Sequence, residues 1–138
     1  MREIKFRAWD KTYNKMVNLF VAGFWKLFIT FDGEIGGYED DDKYEDCAIY
    51  GDRFIPMQFT GLLDTNGIEI YESDILKDEY GRILLVEWFK CGFSLRALTD
   101  TNFIRANNIM QWFDYDISQP EIIGNKFQNP DLLKEATT

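Results

Sequence analysis

The feature that most constrains the fold is a regular alternation of short apolar runs with glycine-containing turns over residues 53–98. Apolar side chains recur at every second position through 55–59, and the run RILLVEWF at 82–89 is almost continuously apolar. Between such runs, Asn66-Gly67 favours a hairpin turn because both residues readily adopt positive φ. Short strands at this spacing predict a mainly β fold, a small antiparallel barrel or sandwich, with an SH3-like barrel as one form of it.

Strand-like patterns also occupy the N-terminal part of the chain. Residues 4–8 alternate apolar and polar side chains, which predicts an edge strand, and the polar stretch 10–15 predicts the turn that follows it. The pattern at 16–24 fits a helix or a strand, and both alternatives stay open. Aromatic and β-branched residues at 25–31 favour a strand, and the Asp-Gly pair at 32–33 predicts a hairpin turn after it.

The C-terminal part of the chain predicts one more strand and a short helix. Residues 103–113 have helical spacing that polar side chains weaken, which indicates a short helix or a packed loop. Pro120 precedes a predicted strand at 121–123. Asn129 predicts a helix N-cap, because the proline that follows it, Pro130, suits the first helical position.

The whole chain of 138 residues predicts a single domain. Its length suits one hydrophobic core, and no composition shift marks an interdomain linker. The predicted parts are, in order, an N-terminal strand and hairpin at 1–36, an acidic loop at 37–50, a β core at 53–125 and a C-terminal helix at 130–136.

Charge and cysteine content indicate the surroundings in which the chain works. The formal net charge is -9, so the average field repels phosphate backbones and anionic lipid headgroups. Residues 32–46 carry eight acidic side chains against one lysine, whereas residues 1–16 are basic. Two cysteines without CxxC spacing and an N-terminus without a signal-peptide pattern indicate a reducing cytoplasm, with no membrane partner.

The residue types exclude much catalytic chemistry. The chain has no histidine, which removes Ser-His-Asp and Cys-His catalysis and histidine metal sites. Glu72 and Asp74 are two apart on a strand, but Asp74 opens that strand and is expected to bond nearby amides, with Glu72 exposed. Cys47 beside acidic neighbours and Cys91 in a turn lack an activating partner. We therefore predict no catalytic residue, no metal ligand and no cofactor.

Three sequence blocks together resemble the YopX family of small phage and prophage proteins. They are REIKFRAWD at 2–10, MQFTGLLDTNGIEIYESDIL at 57–76 and EIIGNKFQNPDLL at 121–133. The family pattern usually has glycine where this chain has Ser73, so the resemblance leaves a positive φ at that position open. It implies a mobile-element origin, expression in a bacterial host cytoplasm and a mainly β fold, and it transfers no reaction.

Aromatic side chains make up 17% of the chain and divide into core and surface candidates. Most are expected to fill the core, including Phe54, Phe59, Trp88, Phe89 and Phe93. The candidate interaction surface instead combines the best candidates for exposed aromatic contacts, one neighbouring cation and the centre of the acidic stretch. Its members are Arg7, Trp9, Trp112, Asp40, Asp41 and Asp42.

These observations favour a non-enzymatic protein-binding or regulatory module that contacts a host or phage protein, its own copies, or both. One alternative is a nucleic-acid-binding module that uses the basic N-terminal strand, although the overall charge disfavours it. Another is a metal-dependent hydrolase or nuclease that uses the carboxylates of 40–42, or Glu72 with Asp74.

Overall fold

Twelve short β-strands and one short helix form the regular structure of the residues that the computed structural model describes, which are 3–18, 26–38, 47–49, 51–99, 105–106 and 120–135, together with a 3-10 turn at Gly51–Arg53. In chain order they are β1 (Phe6–Asp10), β2 (Lys15–Asn18), β3 (Lys26–Ile29), β4 (Ile35–Tyr38), β5 (Cys47–Ile49), β6 (Phe54–Leu63), β7 (Glu69–Tyr71), β8 (Asp74–Lys77), β9 (Ile83–Phe89), β10 (Gly92–Ala97), β11 (Arg105–Ala106), β12 (Glu121–Asn125) and α1 (Pro130–Glu135). The strands pair antiparallel, which confirms the predicted mainly β fold.

The chain divides into two compact units. The N-terminal unit is Lys5–Gln58, and the C-terminal unit combines Met1–Ile4 with Phe59–Thr138. The boundary falls inside the long strand β6. The prediction that the whole chain is a single domain stays a prediction.

In the N-terminal unit, β1 is a central strand. It pairs with β2 on one side, where Ala8 lies opposite Val17, and with β6 on the other, where Ala8 lies opposite Pro56. The prediction of an edge strand was therefore wrong, because alternation reports burial of one face and says nothing about which edges are paired. The buried core cluster of this unit consists of Ala8, Ile35 and Phe54, with Phe6, Val17 and Ile29 packed against it.

The predicted hairpin at 32–33 is confirmed, and the strand that follows it is longer than expected. β3 pairs with β4, and β4 pairs with β5 through Gly36 opposite Ile49 and Tyr38 opposite Cys47. Residues 37–38 and 47–49 thus belong to strands, not to the acidic loop predicted at 37–50. Glycine has no side chain to obstruct a neighbouring strand, so the Gly-Gly pair fits this ladder. The charged residues 39–46 lie outside the described residues.

The two open alternatives at 16–24 are settled in part. Residues 16–18 form a strand within β2. Residues 19–24 lie outside the described part of the chain.

The C-terminal unit is built on a five-stranded sheet in the order β11-β10-β9-β8-β12. Its core cluster is made of fully buried aliphatic side chains from β7 to β10, namely Ile70, Leu76, Leu84, Val86 and Leu95. Ile75 and Leu85, which lie opposite each other on β8 and β9, are 0% and 2% exposed. Both faces of this part of the sheet are therefore covered, which explains why RILLVEWF reads as continuous rather than alternating.

The helix or packed loop predicted at 103–113 is wrong for the two residues that the structure describes there. Arg105 and Ala106 form β11, paired with Arg96 and Leu95. Helical spacing of a few apolar residues cannot by itself exclude a short edge strand. The remaining residues of 103–113 lie outside the described residues.

The chain ends in a strand and helix close to the predicted positions. β12 extends to Asn125, two residues beyond the predicted strand, and pairs with β8. Helix α1 begins at Pro130, as the sequence predicts. The side chain of Asn129 accepts a hydrogen bond from the amide of Asn125 at 3.1 Å, so it ties the turn to the strand before it. The backbone carbonyl of Asn129 accepts from Leu132 at 3.1 Å.

Candidate interaction surface

Three hairpin turns of the molecule share one backbone geometry, and we call them the glycine turns. Each opens with Thr or Asp, whose backbone amide and carbonyl close the hairpin, and has a glycine at positive φ three residues later. That glycine has φ between 78° and 83°, a region that side chains disfavour. The glycine turns are Thr30–Glu34, Asp64–Ile68 and Asp78–Arg82.

A side-chain oxygen of the opening residue closes each glycine turn a second time. In the turn at 64–68, Asp64 Oδ1 accepts from the amides of Asn66 and Ile68 at 2.8 and 2.9 Å. Asp64 Oδ2 also accepts from the amide of Ile122 at 3.1 Å, which joins the turn to β12. The carboxylate is 3% exposed, and its oxygens are committed to backbone donors.

The turn at 78–82 repeats this arrangement and adds an ion pair. Asp78 Oδ1 accepts from the amides of Tyr80 and Arg82 at 2.9 and 2.8 Å. Its other oxygen is bonded by the guanidinium of Arg82, which also lies 5.3 Å from the ring centroid of Tyr80. The Asp78 side chain is fully buried, so charge and hydrogen bonds are both satisfied inside the turn.

Asp10 closes the β1–β2 turn in the N-terminal unit. Its Oδ1 accepts from the amide of Thr12 at 3.0 Å, and Arg53 binds both carboxylate oxygens at 3.1 and 3.0 Å. The hydrogen bond from Arg53 is the main cause that holds the pKa of Asp10 below its usual value; burial opposes it, and amides of the turn add to it. Arg53 also lies over the rings of Tyr13 and Phe54, at 5.2 and 4.8 Å.

Of the two carboxylates considered for catalysis, Glu72 and Asp74, the second is used by the fold itself. Asp74 is 2% exposed, and its Oδ2 accepts from the amide of Tyr71 at 2.8 Å. Glu72 is half-buried rather than exposed, which corrects the expectation for that side chain. Between them, Ser73 has φ 73°, so the position where the family pattern has glycine keeps its positive φ in this chain.

Two cations of the basic N-terminal segment, and Arg53 beside it, have partners in the structure. Arg53 is paired with Asp10, and Lys11 Nζ lies 3.8 Å from a carboxylate oxygen of Asp52. Lys15 lies over the ring of Tyr13 at 5.6 Å.

The interaction surface expected from the sequence is only partly described, and its aromatic member is buried. Arg7 is half-buried on β1. Trp9 is 9% exposed, so its predicted role as an exposed aromatic is wrong. It lies opposite Met16 on β2 and Ile55 on β6, because β1 is a central strand. Trp112, Asp40, Asp41 and Asp42 lie outside the described residues.

The exposed aromatic surface lies instead at the β9–β10 hairpin, and we call residues 88–93 the aromatic turn. Trp88 is 51% exposed and Phe89 is 37% exposed, so their predicted core positions are wrong. Phe93 is half-buried and packs against the core cluster of the C-terminal unit, as predicted. Val86, two residues before Trp88, is 1% exposed, so burial ends abruptly as β9 passes the core.

The aromatic turn has a defined geometry. The rings of Trp88 and Phe93 lie opposite each other across the strands and meet edge to face, with centroids 5.0 Å apart. Lys90 has φ 59°, and its Nζ lies 5.4 Å from the ring centroid of Phe89. Cys91 is an exposed free thiol. The turn is made by Lys90 and Cys91, one residue before the predicted Cys91-Gly92 turn.

Among the described residues, the other exposed apolar side chains do not combine these features. The aromatic side chains of Phe31, Tyr13 and Tyr80 are each exposed in a different turn. Leu63 and Ile68 are exposed together on the β6–β7 hairpin, but they are aliphatic. Single exposed apolar residues are ordinary, whereas Trp is strongly enriched at energetically dominant interface positions.

One sequence signal could have revealed the aromatic turn. Trp88 and Phe89 are consecutive, so their side chains point to opposite faces of β9. They also stand at the end of a strand, directly before a turn, where a core on both faces is hard to extend. Two large aromatic residues in that position are therefore candidates for exposure.

No three or more Cys, Asp or Glu side chains in the described ranges are grouped so that they could hold a metal ion. No helix among the same residues is both long and apolar enough to cross a membrane.

The fold and this surface define a small mainly β protein with carboxylates tied into its turns and one exposed aromatic hairpin. Two solved structures have a similar fold. Protein EF1440 from Enterococcus faecalis has a TM-score of 0.60 and 24% identity, over 96% of this chain and 99% of that chain. Protein yopX from Bacillus subtilis has a TM-score of 0.60 and 19% identity, over the same shares of both chains. At these identities the likeness concerns the fold.

The family is shown by a match along nearly the entire chain. The family model described as YopX protein matches residues 5–134. The chain therefore belongs to the YopX family, which confirms the resemblance carried by the three sequence blocks. No curated protein matches the chain.

Proposed function

We propose that this protein is a non-enzymatic binding module that contacts a host or phage protein through the aromatic turn. The observation that carries the proposal is the joint exposure of Trp88 and Phe89, at 51% and 37%, next to a core that is almost completely buried. Membership of the YopX family supports a role in a phage or prophage, and the exposed free thiol of Cys91 supports a reducing bacterial cytoplasm.

The energetics of the aromatic turn suit recognition. Burying apolar surface contributes about 25 cal/mol per Å², and an aromatic side chain buries about 150–250 Å². Strands β9 and β10 pair from Leu84 opposite Ala97 to Phe89 opposite Gly92, which holds the turn in one register. A surface that is already ordered loses less conformational entropy on binding, so more of the contact energy appears as affinity.

The buried carboxylates support a role without catalysis. Four aspartates are between 1% and 5% exposed, and each accepts at least one backbone amide, namely Asp10, Asp64, Asp74 and Asp78. A general acid or base must reach its substrate, and a carboxylate with backbone donors in a buried turn is poorly placed to do so.

The partner we propose is a different protein rather than a second copy. Each chain carries a formal net charge of -9, so two copies repel each other at long range. Sedimentation equilibrium should therefore give a monomer. A dimer that dissociates when Trp88 and Phe89 are replaced by serine would contradict this choice of partner.

Capture from a host lysate with matched variants tests the proposed function. The wild-type protein, the double variant Trp88→Ser/Phe89→Ser and the control Phe31→Ser are immobilised at equal density. Phe31 is fully exposed in a glycine turn, so its replacement removes a similar exposed ring from another place. We expect one protein to be retained stoichiometrically by the wild type and the control and to be lost with the double variant.

The same capture has clear contrary outcomes. Retention of the partner by the double variant would place recognition elsewhere on the molecule. Absence of any stoichiometric partner for the wild type would count against a binding module. Urea unfolding of all three proteins establishes that each variant is folded before it is compared.

A further inference from the structure

We infer that the aromatic turn recognises an apolar pocket that has a carboxylate at its edge, and that Lys90 determines this specificity. The inference rests on the proposed function, because it names the chemistry of the partner surface for the same site. It is carried by three observations: the backbone conformation of Lys90, the charges around it, and its position beside the aromatic rings.

Lys90 occupies a backbone conformation that its side chain disfavours. Its φ is 59°, a value at which glycine or asparagine would fit more easily than lysine. Every glycine turn has glycine at its corresponding positive-φ position. Asn14, Ser73 and Lys90 are the non-glycine residues at positive φ in the described part of the chain, and Lys90 is the charged one among them, which points to a requirement for the side chain itself.

The charges around Lys90 leave its ammonium available to a partner. The neighbouring carboxylate, Glu87, is bound by Arg96 Nε at 2.6 Å. Within the described ranges, the recorded contact of Lys90 is the ring of Phe89 at 5.4 Å, and no carboxylate pairs with it. Docking of the aromatic rings would remove water from this ammonium, which is costly unless the partner supplies an acceptor of opposite charge.

The position of the ammonium fixes where that acceptor must lie. Lys90 Nζ lies against the exposed Phe89 ring, so the cation and this ring belong to one small surface, while Trp88 lies on the other face of the same turn. A carboxylate within about 4 Å of Nζ would therefore stand at the rim of the pocket that receives the Phe89 ring. Charge complementarity thus selects an apolar pocket with an acidic rim.

A random 12-residue peptide library displayed on phage tests this chemistry. Peptides are selected on the wild-type protein and counter-selected on Trp88→Ser/Phe89→Ser, so that the retained sequences depend on the aromatic turn. We expect these peptides to carry Asp or Glu next to a cluster of apolar residues. Their affinity, measured with the synthetic peptides by calorimetry, should fall as salt is raised.

Charge variants with a matched control complete the test. Lys90→Gln keeps a side chain at the strained position and removes the charge, and it should lower the affinity for the selected peptides about fivefold. Lys90→Glu should lower this affinity by more than about tenfold. Lys126 is exposed and lies 5.1 Å from the ring of Phe127, a similar cation and ring in another turn, so Lys126→Gln should leave their affinity unchanged.

The outcomes distinguish the inference from the proposed function. Peptides that depend on the aromatic turn but lack acidic residues, or that bind Lys90→Gln as tightly as the wild type, overturn the inference alone. A selection that yields no peptide dependent on Trp88 and Phe89 overturns the proposed function, and the inference with it.

Discussion

The two turns at the ends of β9 are built on opposite principles. At 78–82, a buried carboxylate accepts backbone amides, a glycine supplies positive φ and an ion pair neutralises the charge. At 88–93, a lysine supplies the positive φ and two aromatic rings are exposed. One strand therefore joins a turn whose opening carboxylate is used entirely within the fold to a turn that leaves two large aromatic rings in water.

This contrast separates residues that hold the fold from residues available for recognition. A buried carboxylate with several donors contributes to stability and has little left to offer a ligand. Exposed aromatic rings contribute less to stability and can contribute strongly to binding. Substitutions at the two kinds of turn should therefore affect different measurements, unfolding for the first and partner affinity for the second.

The largest effect is expected at Asp78. Asp78→Ala leaves two turn amides and the Arg82 guanidinium without their acceptor, and should lower the free energy of unfolding by about 3 kcal/mol. Glu79→Ala removes an exposed carboxylate one residue later and should change it by less than about 0.5 kcal/mol. Urea unfolding checks both variants. Equal effects would show that the buried acceptor does not hold this turn.

Asp10 should make stability depend on pH in a defined direction. Asp10→Asn should cost about 2 kcal/mol at pH 7, because Arg53 loses its charged acceptor. The pKa of Asp10 in the folded state is lowered by Arg53 below the value of 3.8 for the unfolded chain. The stabilisation is therefore complete above that value and lost as pH falls through the lower, folded-state pKa.

The measurement for Asp10 is a pair of urea unfolding series from pH 7 to pH 2. The difference between the wild type and Asp10→Asn should stay constant near neutral pH and shrink in the acid range. A difference that is independent of pH throughout the series would contradict the role given to the Asp10 carboxylate.

The space around the α-carbon is filled at Gly124 and open at Gly92, so alanine at these two positions should have different effects on stability. A Cβ at Gly124 would lie 2.4 Å from Asn129 Oδ1, an atom that the amide of Asn125 holds in place. Gly124→Ala should therefore cost about 1–2 kcal/mol. A Cβ at Gly92, beside the aromatic turn, meets nothing within 4 Å, so Gly92→Ala should be close to neutral. Thermal unfolding compares the two, and the reverse order would contradict the packing described.

Replacing the positive-φ residues Ser73 and Lys90 by glycine should give the smallest change in stability of these substitutions. Glycine at either position should raise the free energy of unfolding by about 0.5–1 kcal/mol, because the strained conformation is relieved. Binding should separate the two variants. Ser73→Gly should leave partner affinity unchanged, whereas Lys90→Gly should weaken it. Equal affinities would show that Lys90 serves the turn alone.

The sequence predicts turns better than it predicts surfaces. Asp-Gly at 32–33 and Asn66-Gly67 carry local chemistry that decides the chain direction, and both turns are found where expected. Ser73 shows the limit of predicting turns from local residue types. Serine does not favour positive φ, yet Ser73 adopts it, because the hydrogen bond from the amide of Tyr71 to the carboxylate of Asp74 closes the turn around it.

The exposure of the aromatic side chains depends on the arrangement of strands in the sheet, which no local sequence pattern contains. Trp9 is buried because β1 has a strand on both sides, and Trp88 is exposed because β9 extends past the core that its earlier residues fill. Trp9 ends an alternating stretch and Trp88 lies near the end of an almost continuously apolar one, and each local pattern predicts the opposite of the exposure found. Strand order and strand length relative to the core, which are properties of the whole sheet, decide which ring faces water.

Amide hydrogen exchange of the protein alone and with its captured partner, or with a selected peptide, tests the central claim most directly. We expect binding to slow exchange at 88–93, the aromatic turn, and to leave exchange at 78–82 unchanged. Bound protein in which 88–93 exchanges as fast as in the free protein would contradict this, because recognition would then lie elsewhere.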